Sequence, residues 1–362
     1  MNSSASMRRD NCRYEVDATA LVGPAYRVIR CGPFSFKVET HTAIAALLLA
    51  IALVAVATLA LAGGAFPLRV GDIVSALLGV GDERAQLVVI EWRLPRVLGA
   101  VLIGMALGVS GAIFQSLTRN PLGSPDVIGF SAGSYTGALL VLLHLGGGYW
   151  LTAGGAVAGG FGAAALVYAL AWRGGVDGFR MILIGIGVSA LLGAFNMWMI
   201  RQASLQAALG AAFWGAGSLN GLGFDQLRFA ALAFAVLLPA SAYLAQAMRQ
   251  MEFGDDVARA TGVPVMRMRF ALTFVGVALT AAATAFAGPI AFIALVAPQV
   301  ARRMTATASV SILTSALCGG LLLLVADLAV QRAFGNQLPV GVMTVVIGGF
   351  YFIWLLVRET RP

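Results

Sequence analysis

The densest run of ionisable side chains lies between Met248 and Phe270, MRQMEFGDDVARATGVPVMRMRF. It holds Arg249, Arg259, Arg267, Arg269, Glu252 and the pair Asp255–Asp256. Apolar segments long enough to cross a bilayer flank it on both sides. Unpaired charge in hydrocarbon is costly, so the run must lie in water. Its excess of arginine places it on the cytoplasmic side. Within it, Asp256-Val257-Ala258, three further residues and Gly262 predict a short helix closed by a glycine. Two readings fit: a loop made soluble by its charge, or a helix presented to a cytoplasmic partner.

A second chemical pattern is Gly129-Phe130-Ser131-Ala132-Gly133, which matches the G-x-S-x-G nucleophile elbow. That motif needs a strand, a sharp turn and a helix, whereas here it opens an apolar helical segment. The one downstream histidine is His144. Gly108-Val109-Ser110-Gly111 could suggest an intramembrane serine hydrolase and lacks a partner in the same way. Small residues at helix contacts explain both runs better. They also explain Gly104-x3-Gly108, Gly155-x3-Gly159 and Gly185-x3-Ser189-x3-Gly193.

Other chemistries fare worse. Gly185-Ile186-Gly187 is half a dinucleotide fingerprint with no strand before it. Lys37, the only lysine, follows Phe36, so the chain has no Walker A loop. Any ATP chemistry must come from another chain. Cys12, Cys31 and Cys318 have no paired spacing, and His41 and His144 lie far apart, which gives no support to a disulfide framework or a metal site. Glu91, Asp126, Asp225 and Asp327 fall near the ends of spans, which argues against ion coupling at mid-membrane.

These groups must be positioned by membrane helices. The chain is 59% hydrophobic and 11% charged, with a mean hydropathy of +0.88, where a soluble domain carries about a quarter charged residues. The net charge of +8 is spread over segment ends, as topology demands, and is not gathered into a nucleic-acid footprint. Residues 1–42 are expected to form a weakly ordered cytoplasmic extension, and 43–358 a membrane domain. The segment 249–269 is its charged loop, and 359–362 a cytoplasmic tail. Spans are expected at about 43–63, 93–117, 127–145, 149–172, 180–200 and 226–248, then two short ones within 270–301, then about 310–330 and 338–357. A short amphipathic helix is predicted near Val70–Leu78, and an interfacial or re-entrant helix around Phe213-Trp214. Gly288-Pro289 either splits 270–301 or kinks a single helix. About ten spans result, with both termini inside. This leaves Arg69, Arg84, Arg93, Arg96, Arg201, Arg228 and Arg332 outside, of 24 basic residues. Those seven either reach lipid phosphates or meet a partner.

Taken in order, several motifs together resemble the permease subunits of the iron-siderophore and vitamin B12 class of ABC importers, over roughly 43–358. They are Arg93-Leu-Pro-Arg96, Gly108-Val-Ser-Gly111 through Gln115, Asn120-Pro-Leu-Gly-Ser-Pro125, Trp214-x2-Gly217-Ser-Leu, the charged loop, Gly288-Pro-Ile-x-Phe292 through Pro298, Asp327 with Arg332, and Leu338-Pro-Val-Gly341. Gln299 after Ala297-Pro298, and Gly349-Phe350, look closer to ferric-enterobactin-type subunits. The resemblance implies an all-α, polytopic fold of about ten transmembrane helices, the type II ABC importer permease fold. It implies no catalysis and no cofactor in this chain, with ATP and magnesium held by two partner ATPase subunits. A second permease, homologous more than identical, and an extracytoplasmic siderophore-binding protein complete the machine, in the cytoplasmic membrane of a bacterium.

By the same resemblance Phe253, Gly254, Asp255, Asp256, Val257, Ala258, Arg259 and Gly262 form the ATPase-coupling segment. Arg93, Arg96 and Arg332 meet the binding protein, and Gly178-Phe179 lies near an inner gate. Asn196, polar in an apolar run, is either a pathway residue or a hydrogen bond between helices. The cargo implied is a ferric siderophore. Haem or a cobalamin on the same machine, and a secondary transporter needing no ATPase, remain the alternatives.

Overall fold

The computed structural model describes residues 13–16, 26–31, 34–64, 66–173, 178–307, 309–334 and 338–359. Three antiparallel strands come first, β1 (Arg13–Val16), β2 (Tyr26–Cys31) and β3 (Phe34–Glu39), in the order β1-β2-β3. This replaces the weakly ordered extension expected there. Tyr26–Cys31 and Phe34–Val38 are rich in β-branched and aromatic residues, and Cys31 pairs with Phe34 across the two residues Gly32-Pro33. That is hairpin spacing. The rest of the expected extension, 1–12 and 17–25, lies outside the described residues, as do 360–362 of the tail.

From Thr40 the fold is helical. The helices are α1 (Thr40–Ala62), α2 (Val70–Leu77), α3 (Glu83–Gln86), α4 (Leu94–Thr118), α5 (Phe130–His144), α6 (Tyr149–Ala171), α7 (Gly178–Gln202) and α8 (Leu205–Gly215). They continue with α9 (Phe224–Glu252), α10 (Asp255–Ala260), α11 (Val265–Ala287), α12 (Ile293–Thr305), α13 (Ile312–Phe334) and α14 (Val340–Glu359). Among the described residues seven helices are long and apolar enough to cross a membrane, and Phe130–His144 and Val340–Trp354 are shorter apolar helices.

Two boundaries differ from expectation. The second span begins at Glu83, because the seven π-helical residues Leu87–Arg93 join α3 to α4 into one continuous rod. Pro95 follows directly on the π-helical turn, at the start of α4. Gly288-Pro289 does split 270–301, with Gly288 at φ +71° and Phe292 at +70°. Its first half, α11, is a full-length 23-residue helix and only α12 is short.

The rod at Glu83–Thr118 is the centre of the bundle: 78% of its most apolar window is buried, against 17% for α7. Small residues bring its neighbours close. A Cβ on Gly104 would lie 2.4 Å from the Gly319 carbonyl oxygen of α13, and one on Gly108 2.2 Å from that of Ser315. The Gly155-x3-Gly159 ridge packs the same way against Gly133 and Gly137 of α5. These approaches are closed to any larger side chain. A buried amide pair adds specificity. Gln115 donates to the Leu295 carbonyl (2.9 Å), while Gln299 donates to Gln115 (3.0 Å) and to the Pro121 carbonyl (2.9 Å). That ties α12 to α4 and to the loop that follows it.

Candidate coupling and docking sites

At one end of the bundle α9 stops at Glu252 and the chain turns through Gly254 (φ +119°) into α10. Asp255 and Asp256 occupy the first turn of α10, where the helix dipole favours negative charge. The predicted glycine closure is present. Gly262 has φ +86°, its N–H donates to the Arg259 carbonyl (3.0 Å), and the N–H of Val263 donates to that of Ala258 (2.9 Å). This paired closure with a left-handed glycine is the Schellman arrangement.

The predicted coupling residues divide into two sets. Asp255 and Ala258 face inward. Ala258 is fully buried. Asp255 receives Arg119 at 2.6 Å and Arg269 at 2.9 Å. Arg119 is the left-handed C-cap of α4 (φ +49°) and also donates to the Met251 carbonyl (2.9 Å). One carboxylate thus joins α10 to the end of α4 and to the first turns of α11. Phe253, Asp256, Val257 and Arg259 face outward. Phe253 is 79% exposed, Val257 51%, and Asp256 pairs with Arg259, three residues on, at 2.7 Å. The open face of this segment thus carries apolar and acidic groups together. Sequence reasoning missed the role of Arg119, whose signal was an arginine directly after a long helix and before Asn120-Pro121.

Beside α10 lies a cavity of about 860 Å³, bounded by Gly178, Phe179, Arg180, Asp255, Arg259 and Arg267 among others. Gly178 abuts the end of α4, since a Cβ there would lie 2.7 Å from the Thr118 backbone, and Phe179 is 72% exposed. The structure therefore brings these two residues beside α10. Asn196 lies elsewhere. It is buried and turned away from the open face of α7 that carries Leu183, Ile186 and Trp198, and its Oδ1 has no partner among the described residues.

At the opposite end, the three arginines read as a docking set have different tasks. Arg93 donates to the carbonyls of Leu61 and Phe66, both at 2.7 Å, and so fastens the end of α1. Arg96 points inward. Its guanidinium meets the fully buried Asp327 of α13 in a forked pair (Nη2 to Oδ1 2.8 Å, Nε to Oδ2 3.0 Å), and Gln331 donates to the same carboxylate at 2.6 Å. Exposed docking is not the geometry that Arg96 has. Arg332 is exposed. Hypothetical Cβ atoms on Gly63 and Gly64 would lie 3.6 Å from Arg332 and 3.0 Å from Arg93, so these two guanidinium groups flank one turn.

Ser131 does not assemble a hydrolase. It opens α5 with no strand before it and donates to Asp126 at 2.5 Å. His144 closes the same helix, about 20 Å away at 1.5 Å per residue. Among the described residues no group of three or more His, Cys, Asp or Glu is placed to hold a metal ion.

Comparison with known proteins gives concordant matches. The model of the FecCD transport family matches residues 47–358. The ferric enterobactin transport system permease protein FepG of Escherichia coli is 51% identical over 325 residues, 90% of this chain and 98% of that one. The achromobactin transport system permease protein CbrC of Dickeya dadantii is 36% identical, over 92% and 96%. Among solved structures, a metal-chelate type ABC transporter in an inward-facing conformation superposes with a TM-score of 0.76. It is 24% identical and covers 88% of this chain and 99% of its own, a likeness of fold.

Proposed function

The chain belongs to the FecCD transport family, and from that membership we propose that it moves a ferric siderophore across the cytoplasmic membrane of a bacterium. It is a permease subunit of an ABC importer and not itself an enzyme. In the arrangement we propose, the seven long helices are joined by α5, α12 and α14 to make ten spans, with both termini cytoplasmic. Two ATPase subunits supply ATP and magnesium, a second, homologous permease lies against the open face of α7, and an extracytoplasmic binding protein delivers the cargo.

The observation that carries the coupling role is the division of α10. Its outer face offers Asp256 and Val257, with Phe253 in the turn before it, while its inner face is fastened by Asp255 to α4 and α11 together. A push on α10 is therefore passed to two helices at once. Such a rigid connection suits alternating access, where closure of the ATPases must tilt helices far from the nucleotide. In this proposal Gly178 and Phe179, which line the cavity beside α10, open or close the cytoplasmic mouth in the same movement. At the outer end Arg332, with Arg93 beside it, is the group available to carboxylates of a delivery protein.

The siderophore reading draws on the 51% identical ferric enterobactin permease. The test is uptake into proteoliposomes holding this chain with its ATPase, companion permease and binding protein. Iron supplied as ferric enterobactin should accumulate only with ATP inside the ATPase compartment. Accumulation of haem or cobalamin in its place would reassign the cargo, and uptake without the ATPase would overturn the importer reading.

A further inference from the structure

We propose that the groove between α6 and α11 and the basic cavity beyond its end act as one site, which binds an anionic phospholipid. The groove, about 320 Å³, is apolar and is lined by Phe161, Ala165 and Tyr168 of α6 and by Phe270, Phe274 and Val277 of α11. Two ring pairs bridge the helices across it, Phe161 with Phe274 at 5.2 Å and Tyr168 with Phe270 at 6.1 Å. Phe161 to Ala169 spans about 12 Å of helix, enough for much of an acyl chain. The groove ends where both helices end, and there the chemistry changes. Trp172, whose ring stands 5.9 Å from Tyr168, is followed by Arg173, and Arg267 lies one turn before Phe270. Both arginines line the 860 Å³ cavity, whose described lining holds six arginines and one acid, Asp255.

Arg119 and Arg269 are committed to Asp255, and Arg259 to Asp256. Arg173 and Arg267 are exposed and have no acidic partner among the described residues. An apolar slot on a pair of long apolar helices, closed by aromatic rings near the helix ends and followed by guanidinium groups, has the order of a phospholipid: tail, glycerol, phosphate. A soluble anion would use the arginines and leave the groove unexplained. The site rests on the membrane-spanning reading and not on the cargo. It adjoins α10 through Asp255, so an occupied site would also stiffen the first turns of α11.

The test uses the full chain in detergent and in nanodiscs, with phosphatidylglycerol and phosphatidylcholine as probes. Native mass spectrometry should find phosphatidylglycerol retained in preference to phosphatidylcholine. Each of Arg173→Gln and Arg267→Gln should lower that retention about fivefold. Ala165→Trp, which fills the groove and alters no charge, should lower it as well. Phosphatidylglycerol should raise the unfolding temperature of the parent and not of these variants, whose unfolding in phosphatidylcholine alone should match the parent and so show that they fold. Full retention by the double arginine variant would overturn the proposal. Full retention by Ala165→Trp would do so too, by reducing the effect to surface charge, as would complete displacement of the lipid by inorganic phosphate.

Discussion

Asp255 accepts the guanidinium of Arg119 at 2.6 Å, although 136 residues separate them in the chain. The same carboxylate holds Arg269 at 2.9 Å, so a single acid on a six-residue helix is the junction of three elements. A helix of this length has no stability of its own in water. Its position is set by the cap at Gly262, by the burial of Ala258 and by this junction.

The first prediction concerns that junction. Asp255→Asn and Arg119→Gln should each lower uptake and ATPase association while the chain still inserts. The double variant should lose less than the sum of the two, with a coupling of about 1 kcal/mol, since the pair is only partly buried. Co-purification with the ATPase, measured as a double-mutant cycle, decides it. Strictly additive effects would mean that the contact transmits nothing.

A second prediction isolates the helix stop. A Cβ on Gly262 would meet no atom within 4 Å, so any penalty there comes from the backbone at φ +86° and not from crowding. Gly262→Val should weaken the closure by about 1–2 kcal/mol. Uptake and ATPase association should fall together. Gly262→Asn, which tolerates this conformation better, should recover most of both. Equal losses in Val and Asn variants would point to a side-chain clash that the open space excludes.

Local patterns were legible in the sequence and distant pairings were not. The helix ending at Gly262 is written in six or seven consecutive residues, and the Gly104-x3-Gly108 ridge shows its small face whatever partner it meets. Arg96 is different. Its place at the start of a span signals an interfacial cation, but nothing nearby says whether it turns outward to water or inward to Asp327, 231 residues on. Asn196 was ambiguous for the same reason: α7 is apolar all round, so no polar stripe shows which side faces the bundle. The strands at Tyr26–Cys31 and Phe34–Glu39 were missed, because the mixed charge of the segment outweighed its β-branched and aromatic residues in the reading.

The third prediction follows from the inward turn of Arg96. Asp327 is fully buried, and Arg96 leaves only 14% of its side chain exposed. Removing one partner of a buried pair strands the other charge, at a cost of about 3–5 kcal/mol. Arg96→Met or Arg96→Glu should therefore reduce the amount of folded chain in the membrane, before any question of docking arises. Arg96→Met combined with Asp327→Leu should recover much of it. Normal folding of Arg96→Glu would return this residue to the docking surface.

Arg332 offers the cleaner test of the outer dock. It is exposed, it follows Asp327 on α13 by less than two turns, and it stands across the Gly63-Gly64 turn from Arg93. Arg93 is occupied by the Leu61 and Phe66 carbonyls, so replacing it would loosen the end of α1 and confuse the result. Arg332→Glu changes charge without breaking a contact of that kind. An exposed pair contributes about 0–1 kcal/mol, so the single reversal should weaken binding-protein association up to about fivefold at low salt. The difference from the parent should shrink as ionic strength rises, because the screening length falls to about 8 Å at physiological salt. A lysine introduced for an acidic surface residue of the binding protein should restore part of the loss. If Arg332→Glu binds as tightly as the parent at both ionic strengths, this arginine serves the lipid interface alone.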